Sequence, residues 1–169
     1  MNANCSLLTK NISITLLAIA GLYANASAAA TYDAKNYPGA NCQAMNGTQT
    51  SSLTHSNSGV YNVTASDVVV ACPIVRDNII NQNGVRVIAY VENNGAANAL
   101  YCKFYSNDQW GALVAGASAN SPVGLNALGL SVLSSQPITG HYVFLCNLPP
   151  KSSVRSYQVY ETLNTDIDS

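Results

Sequence analysis

The clearest periodicity in the chain lies in GVRVIAYVEN, residues 84–93, where Val85, Val87, Ala89 and Val91 alternate with Arg86, Ile88, Tyr90 and Glu92. A period of two predicts a strand with one face in a core and the other in water. Leu100 to Ser106 repeats the pattern, with Leu100, Cys102 and Phe104 inward and Tyr101, Lys103 and Tyr105 outward. Only a polar break around Asn93-Asn94-Gly95 separates the two runs, so they are expected to form an antiparallel hairpin with one wet face. The segment from Asp67 to Asp77, DVVVACPIVRD, is different: about eight apolar residues in succession, ended by Pro73 and an Arg-Asp-Asn turn. Such a run reads as a strand buried on both faces, and its cysteine makes it the expected central staple of the domain.

Weaker signals fill the remainder. Gly59 to Ala65 alternates and turns at Ser66-Asp67; His141 to Leu148 has strong strand character until Pro149-Pro150 stops it; Ser153 to Glu161 makes a last strand before a polar, acidic tail. Ala112–Ala119 and Leu125–Ser134, rich in small residues and glycines, fit edge strands or a crossing loop. Asn46–Ser58 has no period and reads as a long surface loop, and Tyr37-Pro38-Gly39 as a turn leading into Cys42. Short strands at intervals of about ten residues predict an all-β, antiparallel β-sandwich of about seven or eight strands, with a small closed β-barrel as the alternative.

The N-terminal stretch stands apart. Met1–Lys10 is polar with one positive charge, Ile12–Leu22 is apolar, and Ala24–Ala28 offers small residues for cleavage, the layout of a secretory signal peptide over residues 1–28. Its apolar part falls short of the roughly 20 residues a bilayer span needs. Residues 29–169 then form a single secreted domain, in which no segment is long and apolar enough to span a membrane.

Export changes the reading of the cysteines. Cys5 leaves with the leader, and Cys42, Cys72, Cys102 and Cys146 remain, an even number that implies disulfides. Three pairings are open; Cys42–Cys72 and Cys102–Cys146 are favoured, the first tying an N-terminal arm to the VVVAC strand, the second joining the centres of two strands. No close-spaced cysteine pair points to zinc or redox chemistry.

Charge is scarce, at 9% of residues, with no basic cluster. Nucleic acid and anionic membranes are therefore poor partners. The surface must be built from Asn, Ser, Thr, Gln, Gly and Tyr, which suits an extracellular glycan or self-association. No nucleophile elbow occurs, and His55 and His141 have no second ligand at metal spacing, so neither a catalytic residue, a metal nor a cofactor is assigned. Paired carboxylates for sugar hydrolysis would have to come from residues such as Asp33, Asp67, Asp77, Glu92, Asp108 and Glu161, most of them at strand ends or turns. Residues 77–83 lack the alternating acids of a calcium loop. The aromatic residues carry the sharpest expectation: Trp110, in the polar turn Ser106–Gly111, with Tyr90, Tyr101 and Tyr105 on outer faces of neighbouring strands, would form a platform for stacking sugar rings.

Four cysteine-flanking motifs, YPGANCQ, VACPIVRD, a mid-chain cysteine and YVFLCNLPP, followed by SVRSYQVYE, resemble a group of small secreted proteobacterial proteins with no assigned activity. The resemblance covers nearly all of the chain after the leader and implies a periplasmic or extracellular location. It brings no catalytic residues with it. The expected function is a non-catalytic binding module of the periplasm or cell surface, with glycan as the foremost ligand; the alternative is a structural or assembly subunit of an extracellular layer or filament.

Overall fold

A computed structural model describes residues 31–76, 84–97, 99–132 and 139–163. The leader, residues 77–83 with their calcium-loop reading and the candidate carboxylate Asp77, and the tail beyond residue 163 lie outside the described residues. Among those described are eleven strands: β1 (Thr31–Pro38), β2 (Gln43–Ala44), β3 (Leu53–Ser56), β4 (Gly59–Asn62), β5 (Val68–Cys72), β6 (Val85–Asn93), β7 (Tyr101–Asn107), β8 (Leu113–Asn120), β9 (Gly124–Val132), β10 (His141–Leu148) and β11 (Ser153–Leu163). They form two antiparallel sheets. The first runs β3-β4-β11-β6-β9, with β1 also on β11; the second runs β2-β5-β10-β7-β8. The architecture is a β-sandwich, and neither sheet closes into a barrel.

The core takes in the inward positions that alternation marked on β6 and β7, together with residues of β5, β10 and β11. Val85, Val87, Ala89 and Val91 of β6 and Val154, Tyr157 and Val159 of β11 line the first sheet, and Val68, Val70, Phe104, Phe144 and Leu148 the second; all are essentially inaccessible. Tyr157 joins the layers, stacked on Tyr37 at 5.0 Å and tilted against Phe144 at 5.3 Å. Burial raises the Tyr157 phenol above its ordinary pKa, with a smaller contribution from Tyr37, and its hydroxyl donates to the Pro73 carbonyl. The two disulfides are Cys42–Cys72 and Cys102–Cys146. The second links residues directly opposite each other on β7 and β10.

Several expectations need correction. β6 and β7 are consecutive but lie in different sheets, so they form no hairpin. β5 is neither central nor buried on both faces: it is second from an edge, and Val69 and Ala71 face outward, half-buried. The centre of that sheet is β10. Residues 46–58 are not one loop, because a 3-10 turn over Gly47–Ser52 leads into β3, whose Leu53 alone is buried. β1 was not anticipated. Its inward residues are Asp33, Lys35 and Tyr37, opposite Glu161, Val159 and Tyr157 of β11. Lys35 Nζ lies 3.0 Å from Asp33 and 3.1 Å from the buried Glu161, so charge stands where alternation looks for apolar side chains.

Candidate binding face

The outer face of the second sheet can be built row by row from its register, because directly opposed residues share a face. One row runs Asn120, Tyr101, Asn147, Val69; the next Ser118, Lys103, Leu145, Ala71, Gln43; the third Gly116, Tyr105, Val143; the last ends on Asn107 and His141. Two open depressions lie along it. One, of about 480 Å³, is lined by Gln43, Met45, Ala71, Pro73 and Val143 among others; another, of about 390 Å³, by Lys103, Tyr105, Leu113, Gly116 and Ser118.

The aromatic side chains here are held, not free. The edge of the Tyr105 ring rests on Gly116, where an added Cβ would stand 2.8 Å from Tyr105 Cδ1. A glycine opposite an aromatic residue lets the ring lie across the neighbouring strand. Lys103 places its ammonium 5.3 Å from the centroid of the Tyr101 ring, so the one cation of these rows sits beside an aromatic surface. Asn147 is fixed by donating to Asp67 at 2.9 Å and to the Ala99 carbonyl at 3.3 Å.

Trp110 lies in the turn joining β7 to β8 and is 84% exposed. Asp108 makes that turn: its Oδ1 accepts from the backbone of Trp110 at 2.9 Å and of Ala112 at 2.8 Å. An Asp side chain closing a turn on its own backbone holds the loop without contact to the indole. The turn follows directly from the Tyr105 end of β7.

Tyr90 belongs elsewhere. It faces outward from β6, in the first sheet, on the opposite side of the sandwich from Tyr101 and Tyr105. The expected four-residue platform is therefore divided: Tyr101 and Tyr105 share a face, Trp110 adjoins its end, and Tyr90 cannot reach the same ligand. Tyr90 donates to Gln158 Oε1 at 3.2 Å, as does Tyr160 at 2.7 Å. Nearby, Arg155 pairs with Glu92 and lies 5.1 Å from the Tyr61 centroid. The hydrogen bond from Arg155 holds the Glu92 carboxyl below the usual carboxylate range and raises the guanidinium in turn.

The described carboxylates considered for catalysis have structural partners. Asp33 and Glu161 bind Lys35, Glu92 binds Arg155, Asp67 binds Asn147, and Asp108 closes its turn. His55, on β3, donates from Nδ1 to the Ala40 carbonyl at 2.9 Å; His141 begins β10 in the other sheet. No group of three His, Cys, Asp or Glu side chains among the described residues is placed to hold a metal ion. Sequence reasoning missed the other residues of this face: Asn120 and Gly116 of β8, opposite Tyr101 and Tyr105, Ser118, opposite Lys103, and Gln43 of β2, at the far end of the Lys103 row. The alternation of exposed and half-buried small residues along β8 was the available signal.

No protein-family model and no curated protein matches the sequence. Among solved structures, a xylan-binding module, CBM15, is 14% identical, with 79% of this chain and 97% of that one covered at a TM-score of 0.48. The C-terminal CBM6 of LamC from Zobellia galactanivorans is 8% identical, with 75% and 98% covered at a TM-score of 0.42. The enzymatically active domain of tailspike protein 4 of bacteriophage CBA120 is 12% identical, with 78% of this chain but 19% of that one covered, at a TM-score of 0.43. Likeness at this level carries no functional argument, and the reading of the site rests on its own residues.

Proposed function

We propose that this protein is an exported, non-catalytic binding module that holds a neutral, hydroxyl-rich glycan along the outer face of the second sheet. The observation that carries the reading is the line Tyr101, Lys103, Tyr105 on one strand, bordered by two open depressions, by Asn120, Ser118 and Gly116 on the β8 side and by Asn147, Leu145 and Val143 on the β10 side. Four residues along a strand separate the tyrosines by about 13 Å, so a chain-like ligand can meet both where a small compact one cannot. Tyrosine supplies an apolar ring face and a hydroxyl, and Gln43, Ser118 and Asn120 add neutral donors and acceptors. Lys103 is the single lysine or arginine in these rows, too little charge for a polyanion.

Export rests on the leader-like residues 1–28 and on two disulfides, bonds that persist in oxidising compartments. Electrophoresis of the oxidised protein through native gels containing soluble polysaccharides tests the reading. Retardation by at least one polysaccharide, lost in Tyr105→Ala, supports it. If no polysaccharide retards the protein, or if Tyr105→Ala is retarded as fully as the parent, the assignment fails.

A further inference from the structure

The four sides at which the sheets end are not alike. On one side β2 has two residues and β3 four, and β1 turns Asp33 and Lys35 inward, which are known protections against edge-to-edge pairing. On the other side the edges are β8, of eight residues, and β9, of nine, which pack beside each other. Neither contains a charged residue or proline, and the sequence from Gln109 to Gly140 has no Asp, Glu, Lys or Arg at all. Nine large apolar side chains are exposed among the described residues, and five of them, Trp110, Leu113, Val114, Val123 and Leu125, lie in this stretch. Scattered exposed apolar residues mean little, but a cluster of them beside an open strand edge marks an interaction surface.

The register shows which backbone groups are open. Ser121 donates to the Leu100 carbonyl at 2.8 Å, so Leu100 and Ser121 are a hydrogen-bonded pair. Alternation then makes Cys102 with Ala119, Phe104 with Ala117 and Ser106 with Ala115 the bonded pairs of the β7–β8 ladder. Val114, Gly116, Ser118 and Asn120 therefore direct N–H and C=O away from β7, to the edge on which no strand pairs among the described residues. We propose that this edge pairs with a second copy of the chain, β8 running antiparallel to its own twofold mate. A twofold contact sets a residue near the axis beside its own copy, and neither β8 nor β9 carries a charge to repel there. The two five-stranded sheets would then join, and their outer faces would continue into one longer platform. The pairing stands whether or not that face takes a glycan.

Sedimentation velocity of the oxidised protein, from micromolar to millimolar concentration, with hydrogen exchange on the same samples, tests this. Ser118→Pro removes an outward N–H and no β7–β8 ladder bond, so the strand itself should survive. The parent is expected to convert from monomer to dimer across the range, with the Gly116 and Asn120 amides protected only in the dimer. Ser118→Pro should remain monomeric with an unchanged melting temperature. Ser118→Lys, which places like charges near the twofold axis, serves equally should the proline variant fail to fold. A parent that stays monomeric throughout, or a dimer that persists in the folded Ser118 variants, overturns the proposal.

Discussion

Replacement of Gly59 by alanine tests how β4 and β1 close on the same edge of β11. The β11 register shifts between Val154 and Ser156, so Arg155 is the extra residue of a bulge. Gly59, at the start of β4, has φ of 124° and is packed so close that an added Cβ would stand 2.1 Å from the Val154 carbonyl oxygen. That backbone region is essentially confined to glycine and costs an ordinary residue about 1–3 kcal/mol. Forcing a methyl group against backbone that cannot rotate away adds about 1–3 kcal/mol more. The total is about 4 kcal/mol, or a fall in melting temperature of roughly 10–20 °C for a domain of this size. Gly39 offers an internal comparison: its Cβ would meet the same Val154 oxygen at 2.1 Å, without the positive φ. Gly39→Ala should therefore lose only the packing part. Thermal unfolding followed by circular dichroism measures both variants, and a Gly59→Ala protein melting within about 3 °C of the parent would refute the reasoning.

Three further outcomes are expected. Removing Cys102–Cys146 with a double alanine replacement opens a link across a sequence separation of 44 and should cost about 4 kcal/mol on the chain-entropy model, read as a lower denaturation midpoint. Burial raises the pKa of both the Tyr142 and Tyr157 phenols, so stability from these groups is complete below the ordinary tyrosine pKa of about 10 and is lost as pH rises through the folded values. Absorbance at alkaline pH should show two tyrosines ionising late and together with unfolding; if all ionise in one step near the ordinary value, the packing described for them is wrong. Asn62 donates to the Ser66 and Leu148 carbonyls at 2.7 and 2.8 Å and accepts from Thr64, so Asn62→Ala should cost about 2–3 kcal/mol in urea denaturation, whereas a surface asparagine costs almost nothing.

How much of this was legible in the sequence differs from strand to strand. β6 and β7 were readable because each exposes one face to water and buries the other, and alternation records that directly. Their separation into two sheets was not, because strand pairing is decided by contacts distant in sequence: β6 pairs with β9 and β11, and β7 with β8 and β10. β1 escaped notice because the residues it buries include a lysine and an aspartate matched to Glu161. β3 did so because only Leu53 reaches the core. The continuous apolar run at β5 misled in the opposite sense: Val69 and Ala71, read as buried, belong to the outer face.

The site divides along the same line. The outward direction of Tyr101 and Tyr105 followed from the period of two; the polar turn placed Trp110 in the chain, and its exposure is a finding of the structure. That Tyr90 lies on the far side of the sandwich follows from the strand order of the sheets, which a linear pattern does not contain. Gly116 shows the converse. In the sequence it weakens a strand, whereas in the fold it gives the Tyr105 ring a place to lie.

The central claim is that one face of the sandwich, and not the other, binds glycan. Titration calorimetry with an oligosaccharide cut from a polysaccharide that retards the protein compares the parent, the Tyr101→Ala/Tyr105→Ala double variant and Tyr90→Ala. Loss of two aromatic contacts at the centre of a site should cost 2 kcal/mol or more, about 30-fold in affinity, while Tyr90→Ala binds as the parent does. Equal affinity in the parent and the double variant, or a loss confined to Tyr90→Ala, would contradict the account and place binding on the first sheet.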